Sequence, residues 1–345
     1  MRVCRVMPRP TAAVILGIGM LVAAPAAHAN DTTAELATGG LIFVTNDDIE
    51  MRSENLFISA QQVRVTYGFF NKSDKAVTVL VAFPLPEIRI SEQDQNIAVP
   101  TQDPGNPFGF ATTVNGAHVT MQVEQHVTAV GIDRTQYLRD LGIPLAPQLA
   151  ATNQALDALP KAKWDEIVGL GLGEIVEYGD NTGMRKHLEA RWGLATTFYW
   201  QQTFAAGKPT IVQHQYTPSV GGSAQTDLGS PSSMKETWYA DYLRKYCIDN
   251  SFLAAIQNSR QANKSEFGPP YSEQRIDYIL KTGANWSGPI QDFQLVVDKG
   301  APDAMVSFCG SNVSKISPTQ FQMKQSNFTP DGDLAVLILD KIPKP

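Results

Sequence analysis

The segment Gln62–Pro86, QVRVTYGFFNKSDKAVTVLVAFPLP, constrains the fold more than any other stretch of the chain. Val63, Val65, Tyr67 and Phe69 alternate with Arg64, Thr66 and Gly68, and after a polar turn Val77, Val79, Val81 and Phe83 alternate with Thr78, Leu80 and Ala82. A period of two puts each apolar set on one face of a strand. The intervening Asn71-Lys72-Ser73-Asp74-Lys75 is rich in side chains that bond their own backbone, and Pro84 and Pro86 remove ladder donors. The segment therefore predicts a β-hairpin whose second strand ends at the prolines, and a mainly β (α+β) fold around it.

The rest of the chain extends that expectation. Residues 30–130 read as β, with a polar loop at 93–110 and Asn115-Gly116 as a tight hairpin turn. Residues 133–192 change character: Leu, Ala, Glu and Lys at spacings of three and four, broken by Pro144, Pro147 and Pro160, predict a helical insertion of three or four short pieces. Strands return at 196–216, and Gly221-Gly222-Ser223 opens a polar linker at 221–232. Beyond it, Ser233 and Glu236 have the spacing of a capping box ahead of a helix with Trp238, Tyr242 and Tyr246 on one face, followed by a second short helix. From Arg275 onward the pattern is β. The expected organisation is an N-terminal β-sandwich at 30–220 with the insertion at about 133–192, the linker, and a helical pair plus a second β domain at 233–345.

Residues 1–29 have the form of a secretory leader: Arg2, Arg5 and Arg9, an apolar run from Ala12 to Ala24, and Ala27-His28-Ala29 as a cleavage site before Asn30. The run is shorter than the roughly 20 residues of a spanning helix. Cleavage removes three of the 28 basic and none of the 34 acidic residues, moving the net charge from −6 to −9. An acidic chain with no basic face argues against nucleic acid as a partner, and no later apolar run is long enough to span a bilayer. The expected location is periplasmic or extracellular. Of the three cysteines only Cys247 and Cys309 then remain; in an oxidising compartment one disulfide is the simplest outcome, two buried thiols being the alternative.

Recognisable catalytic chemistry is sparse. No G-x-S-x-G occurs, His118, His126, His187 and His214 form no metal-binding spacing, and Gly169-Leu170-Gly171-Leu172-Gly173 lacks the Lys and Ser/Thr of a phosphate loop. Close helix packing or a helix end explains those glycines, and no cofactor is expected. Asp47, Asp48 and Glu50 could hold a calcium ion or be an ordinary surface turn. Tyr199, Trp200, Trp238 and Trp286 could stack on a ligand or fill the core.

Several short runs carry a family resemblance: Asn46-Asp47-Asp48-Ile49-Glu50-Met51, Ala82-Phe83-Pro84-Leu85-Pro86, Thr197-Phe198-Tyr199-Trp200, Tyr246-Cys247-Ile248 and Ser307-Phe308-Cys309. On these the chain resembles secreted bacterial proteins grouped as domain of unknown function 4424, which implies export and brings no activity. The order of a hairpin ending Phe83-Pro84-Leu85-Pro86, then Val114-Asn115-Gly116, then a helical piece, then 204–216 around Gly207, is also similar to the β-sandwich module that opens inter-alpha-trypsin-inhibitor heavy chains. That similarity implies a scaffold fold. The expected function is an exported, non-enzymatic binding or scaffold protein with a protein or glycan partner; a secreted hydrolase acting on polysaccharide or peptide is the alternative.

Overall fold

The computed structural model describes residues 30–37, 40–90, 97–180, 183–263 and 268–343. The expected leader and its cleavage motif, up to Ala29, lie outside them. In chain order the first strands are β1 (Thr32–Ala37), β2 (Gly40–Val44), β3 (Ile49–Ile58), β4 (Val63–Asn71) and β5 (Val77–Arg89). Short strands β6 (Ile97–Ala98), β7 (Ala111–Val114), β8 (Ala117–His118), β9 (Gln122–Ala129) and β10 (Ile132–Asp133) follow. Helices α1 (Thr135–Asp140), α2 (Ala150–Asp157) and α3 (Lys161–Gly169) lead to β11 (Gly173–Asp180) and β12 (Gly183–Ala190). Then come β13 (Gly193–Phe204), β14 (Pro209–Tyr216), β15 (Val220–Ser223), α4 (Thr237–Lys245) and α5 (Asn250–Asn263). The chain closes with β16 (Tyr271–Tyr278), β17 (Ile290–Asp298), β18 (Met305–Phe308), β19 (Ser314–Lys315), β20 (Gln320–Phe328) and β21 (Leu334–Lys341).

The mainly β class is as the sequence implies, but β4 and β5 are not a hairpin. β4 lies in an eight-stranded sheet, β19-β20-β17-β3-β4-β14-β7-β8, and β5 in a six-stranded one, β10-β9-β13-β5-β1-β2. The turn between them crosses from one layer of the sandwich to the other, and the turn between β13 and β14 makes the same crossing beside it. Asn71 ties the two turns together: its side-chain amide donates to the carbonyls of Lys75 and Phe204, and its own carbonyl accepts from Gly207. Alternation fixes which face a strand buries, and a partner across the sandwich satisfies it as well as a neighbour in the sheet. β5 also continues through Pro84 and Pro86 to Arg89, with Pro84 opposite Thr197 of β13. The Asn115-Gly116 turn, by contrast, joins the paired strands β7 and β8, with both residues at positive φ as a tight hairpin requires.

Two further expectations are corrected. Helix occupies only the first part of 133–192. Gly171, at φ +70°, stops α3, with the Leu172 amide bonding back to the Ile167 carbonyl, and β11 and β12 then pair along their whole length. Residues 185–190 sit extended because Leu188 and Ala190 bury one face of β12, a period of two inside a stretch read as helical. The capping box at Ser233 does not form either; residues 233–235 make a short 3-10 turn and Glu236 precedes α4 without a side-chain cap.

Segments far apart in sequence share these sheets. β17 runs parallel to β3 and antiparallel to β20. Gly221-Gly222-Ser223, expected in a loop, is strand, joining β6 to β16 in a five-stranded sheet, β18-β21-β16-β15-β6. Strand β21 in that sheet is buried on both sides. Val336 and Ile338 face the sandwich core, while Leu337 and Leu339 face Tyr239, Tyr246 and Ile256 of the α4–α5 layer. Phe83 of β5 stands where the layers converge, its ring 4.8 Å from His214, 4.9 Å from Phe110 and 6.4 Å from Tyr278.

Candidate functional site

A cavity of about 690 Å³ forms an open groove between α4 and the outer side of the five-stranded sheet. Its floor follows from strand parity. Glu273, Arg275 and Asp277 stand at every second position of β16, so all three side chains leave on one face, toward the helix. Its wall follows from helix parity: Trp238, Tyr242 and Lys245 recur at spacings of four and three on α4, with Tyr246 beside them. Glu87 and Arg89, at the end of β5, close the rim. Gly221 on β15 stands opposite Arg275, and a Cβ there would lie 3.4 Å from its Nε, in van der Waals contact with the side chain.

Hydrogen bonds fix most of these groups. The Glu273 carboxylate accepts from the Thr226 hydroxyl at 2.5 Å, the Tyr242 phenol at 2.8 Å and Arg275 Nη1 at 3.3 Å. Burial, reinforced by Glu273, pushes the Tyr242 phenol far above its usual range, so it remains a donor. Lys245 lies 3.1 Å from Asp277, and Arg89 reaches both oxygens of Glu87 at 2.8 and 2.9 Å. Trp238 is the exposed aromatic of the set, 43% accessible, its ring edge-on to Tyr242 at 5.7 Å. The disulfide between Cys247 and Cys309 ties the residue just beyond α4 to the residue just beyond β18. Ser307 adds a hydrogen bond to the Tyr246 carbonyl. The helix bearing the aromatic wall is thus clamped to the sheet bearing the charged floor.

Of the four aromatics singled out in the sequence, only Trp238 lines the groove. Trp286 is buried, its ring tilted against Phe69 at 4.5 Å and its indole nitrogen donating to the Asp31 carbonyl, and Trp200 is buried on β13. Tyr199 is half-buried on the opposite face of that strand. At the acidic turn, Asp47 and Asp48 are exposed, Asn46 Oδ1 accepts from the amides of Asp48 and Ile49, and Glu50 pairs with Arg52 at 3.2 Å. Among the described residues no three His, Cys, Asp or Glu side chains converge as a metal site.

A second polar cluster, sealed inside the sandwich, was not anticipated. Asn30 and Asp31 are fully buried at the start of β1. The Asn30 amide nitrogen donates to Thr282 Oγ1 at 2.5 Å, and its side chain donates to Glu54 at 3.1 Å and accepts from the Tyr67 hydroxyl. Tyr67 also meets the Tyr278 hydroxyl at 3.1 Å. Asp31 Oδ1 lies 2.9 Å from His214 Nε2, whose Nδ1 bonds Thr112. Burial raises the Asp31 carboxyl against the pull of His214. Burial also pushes Glu54 up to about 8, the Asn30 hydrogen bond opposing and the Asp31 charge adding. Asp31 Oδ2 and Glu54 Oε1 have no hydrogen-bond partner among the described residues. A signal for Glu54 was present in the sequence: a bulge between Met51 and Ser53 shifts the phase of β3, and Glu54 then shares parity with the buried Leu56 and Ile58. His214 likewise shares parity with Thr210, Val212 and Tyr216 on β14.

Among the described residues no helix is long and apolar enough to cross a membrane. Comparison with curated proteins yields no match. Among solved structures, a Legionella pneumophila protein described as a candidate nutrient binding protein aligns at 16% identity and a TM-score of 0.43, over 90% of this chain and 70% of that one. A family model, "domain of unknown function (DUF4424)", matches residues 29–337, and since that span takes in nearly the whole chain, the protein belongs to this family.

Proposed function

We propose that this is an exported binding protein whose ligand site is the groove between α4 and β16, and that a glycan is the ligand class the groove suits best. The leader, with cleavage between Ala29 and Asn30, is part of this proposal, and so is the likeness of residues 62–216 to the heavy-chain sandwich module. The observation that carries the reading is the pairing of one exposed indole, Trp238, with a floor of fixed charged groups on β16. A sugar ring offers an apolar face for the indole and a rim of hydroxyls for carboxylate and guanidinium partners. The carboxylates of Glu273 and Asp277 are occupied by phenol, hydroxyl, guanidinium and ammonium groups, an arrangement that orients a ligand and ties up the protons a hydrolase must move.

The test is tryptophan fluorescence and calorimetry of the processed protein against a panel of oligosaccharides and short peptides. Trp238→Ala is expected to weaken binding at least tenfold while leaving the unfolding midpoint unchanged. Binding indifferent to that change would overturn the groove assignment, and selective peptide binding would overturn the glycan class. Turnover of a glycoside or peptide substrate, abolished by Glu273→Gln, would favour the hydrolase.

A further inference from the structure

We propose that leader cleavage creates a structural group: the new α-ammonium of Asn30 becomes the buried counter-ion of the Glu54 and Asp31 carboxylates, completing the core only in the processed chain. This rests on cleavage between Ala29 and Asn30, as proposed above, and otherwise on the geometry around Asn30.

Every polar atom of Asn30 is already committed inside the sandwich. Its nitrogen donates to Thr282 Oγ1, its carbonyl accepts from the same hydroxyl at 2.8 Å, and its side chain bridges Glu54, the Leu280 carbonyl and Tyr67. A residue at a processing junction is ordinarily solvated and frayed; this one has no accessible surface. The groups facing Glu54 come from several elements: Asn30 and Asp31 leading into β1, Tyr67 from β4 and Tyr278 from β16, with His214 of β14 behind Asp31. Two carboxylates therefore share the site with one histidine, which serves Asp31, and each keeps one oxygen unpartnered among the described residues. A buried carboxylate in that state costs far more than a paired one.

Hydrolysis supplies what is missing. The hydroxyl of water goes to the Ala29 carbonyl carbon, the C–N bond breaks, and the leader departs as a carboxylate. Two protons, one from water and one from the new acid, end on the Asn30 nitrogen. An amide with one N–H becomes an ammonium with three donors and a unit positive charge, seated on the residue that grips Glu54. The two forms then differ in pH dependence. Without the ammonium, Glu54 is pushed up to about 8. Between the ordinary carboxylate range and 8 the folded chain holds a proton that the unfolded chain has lost, so stability falls as pH rises. With the ammonium present Glu54 is ionised and paired, and that fall disappears.

The experiment compares the chain beginning at Asn30 with one carrying a Gly-Ser extension ahead of Asn30, each with and without Glu54→Gln, and takes the intact mass of the exported protein. At pH 8 the extension is expected to lower Tm by about 6–10 °C, as breaking a buried pair does in a chain of this size. The gap should shrink below about pH 5, where the unfolded chain also holds Glu54 protonated, and shrink to less than half in the Glu54→Gln background. In the folded chain the Asn30 α-amine should acylate at least tenfold more slowly than exposed lysines, a reading that needs no variant. Equal Tm values with and without the extension, or an α-amine that acylates as readily as surface lysines, would overturn the inference. An exported chain beginning elsewhere overturns the cleavage reading and this inference together. A chain beginning at Asn30 whose stability ignores the extension overturns this inference alone.

Discussion

Glu273 and Glu54 are both buried carboxylates held against tyrosines, yet they stand in opposite conditions. Glu273, on β16 at the edge of the groove, has a phenol, a hydroxyl and a guanidinium around it. Glu54, on β3 inside the sandwich, bonds one side-chain amide and keeps an oxygen unpartnered among the described residues. A carboxylate with its full set of donors fixes neighbouring groups in place for something outside to meet. One short of donors is a source of instability until a charge or a proton arrives. The outer site is a finished surface, and the inner one depends on its chemical state.

The contrast can be broken most severely on the inner side. His214→Ala leaves Asp31 buried without its imidazole partner and should cost about 3–5 kcal/mol in urea unfolding. A loss below 1 kcal/mol would mean that Asp31 is protonated and needs no partner. Reduction of Cys247–Cys309 releases a 62-residue separation and should cost about 4 kcal/mol on the chain-entropy view. It should also loosen α4, so ligand affinity at the groove falls with stability, whereas His214→Ala should leave the affinity of the remaining folded protein intact. Gly221→Ala should act on the outer site alone: its Cβ would only touch the Arg275 side chain, at 3.4 Å, so binding should change less than threefold with less than about 1 kcal/mol lost in stability. The smallest effect belongs to His126, half-buried within β9. Burial lowers its pKa, but the carboxylates of Glu124 and Asp133 outweigh it and leave it raised. Its stabilisation is present at acid pH and lost as pH rises through the shifted value; solvent screening keeps it below about 0.5 kcal/mol. His126→Gln should flatten that slope slightly in a pH series of unfolding curves.

The inner and outer sites were unequally legible in the sequence. On α4 the aromatic face was plain from its spacing, and the cysteines that anchor it were evident, but spacing does not tell which of Trp238, Tyr242 and Tyr246 meets solvent. On β16 the pattern Ile276-Asp277-Tyr278-Ile279-Leu280 marked a strand, while the alternation of Glu273, Arg275 and Asp277 gained meaning only with α4 opposite. For the inner site the signals were weaker. Glu54 shares parity with Leu56 and Ile58 but is out of phase with Ile49 and Met51 until the bulge on β3 is known, and Asn30 read as the first residue after a leader, where burial is unexpected. The β4–β5 segment shows the same limit from another side: its alternation marked two strands, but a sheet neighbour of each, β14 for β4 and β13 for β5, lies more than a hundred positions away.

The parallel pairing of β3 with β17 sets an order of events for a chain made from its N-terminus. One edge of β3 stays open until residues 292–297 have emerged, so the central sheet is a late product of synthesis, with slow closure and a long-lived exposed edge. The topology thus makes completion of the eight-stranded sheet wait until nearly the whole chain is available.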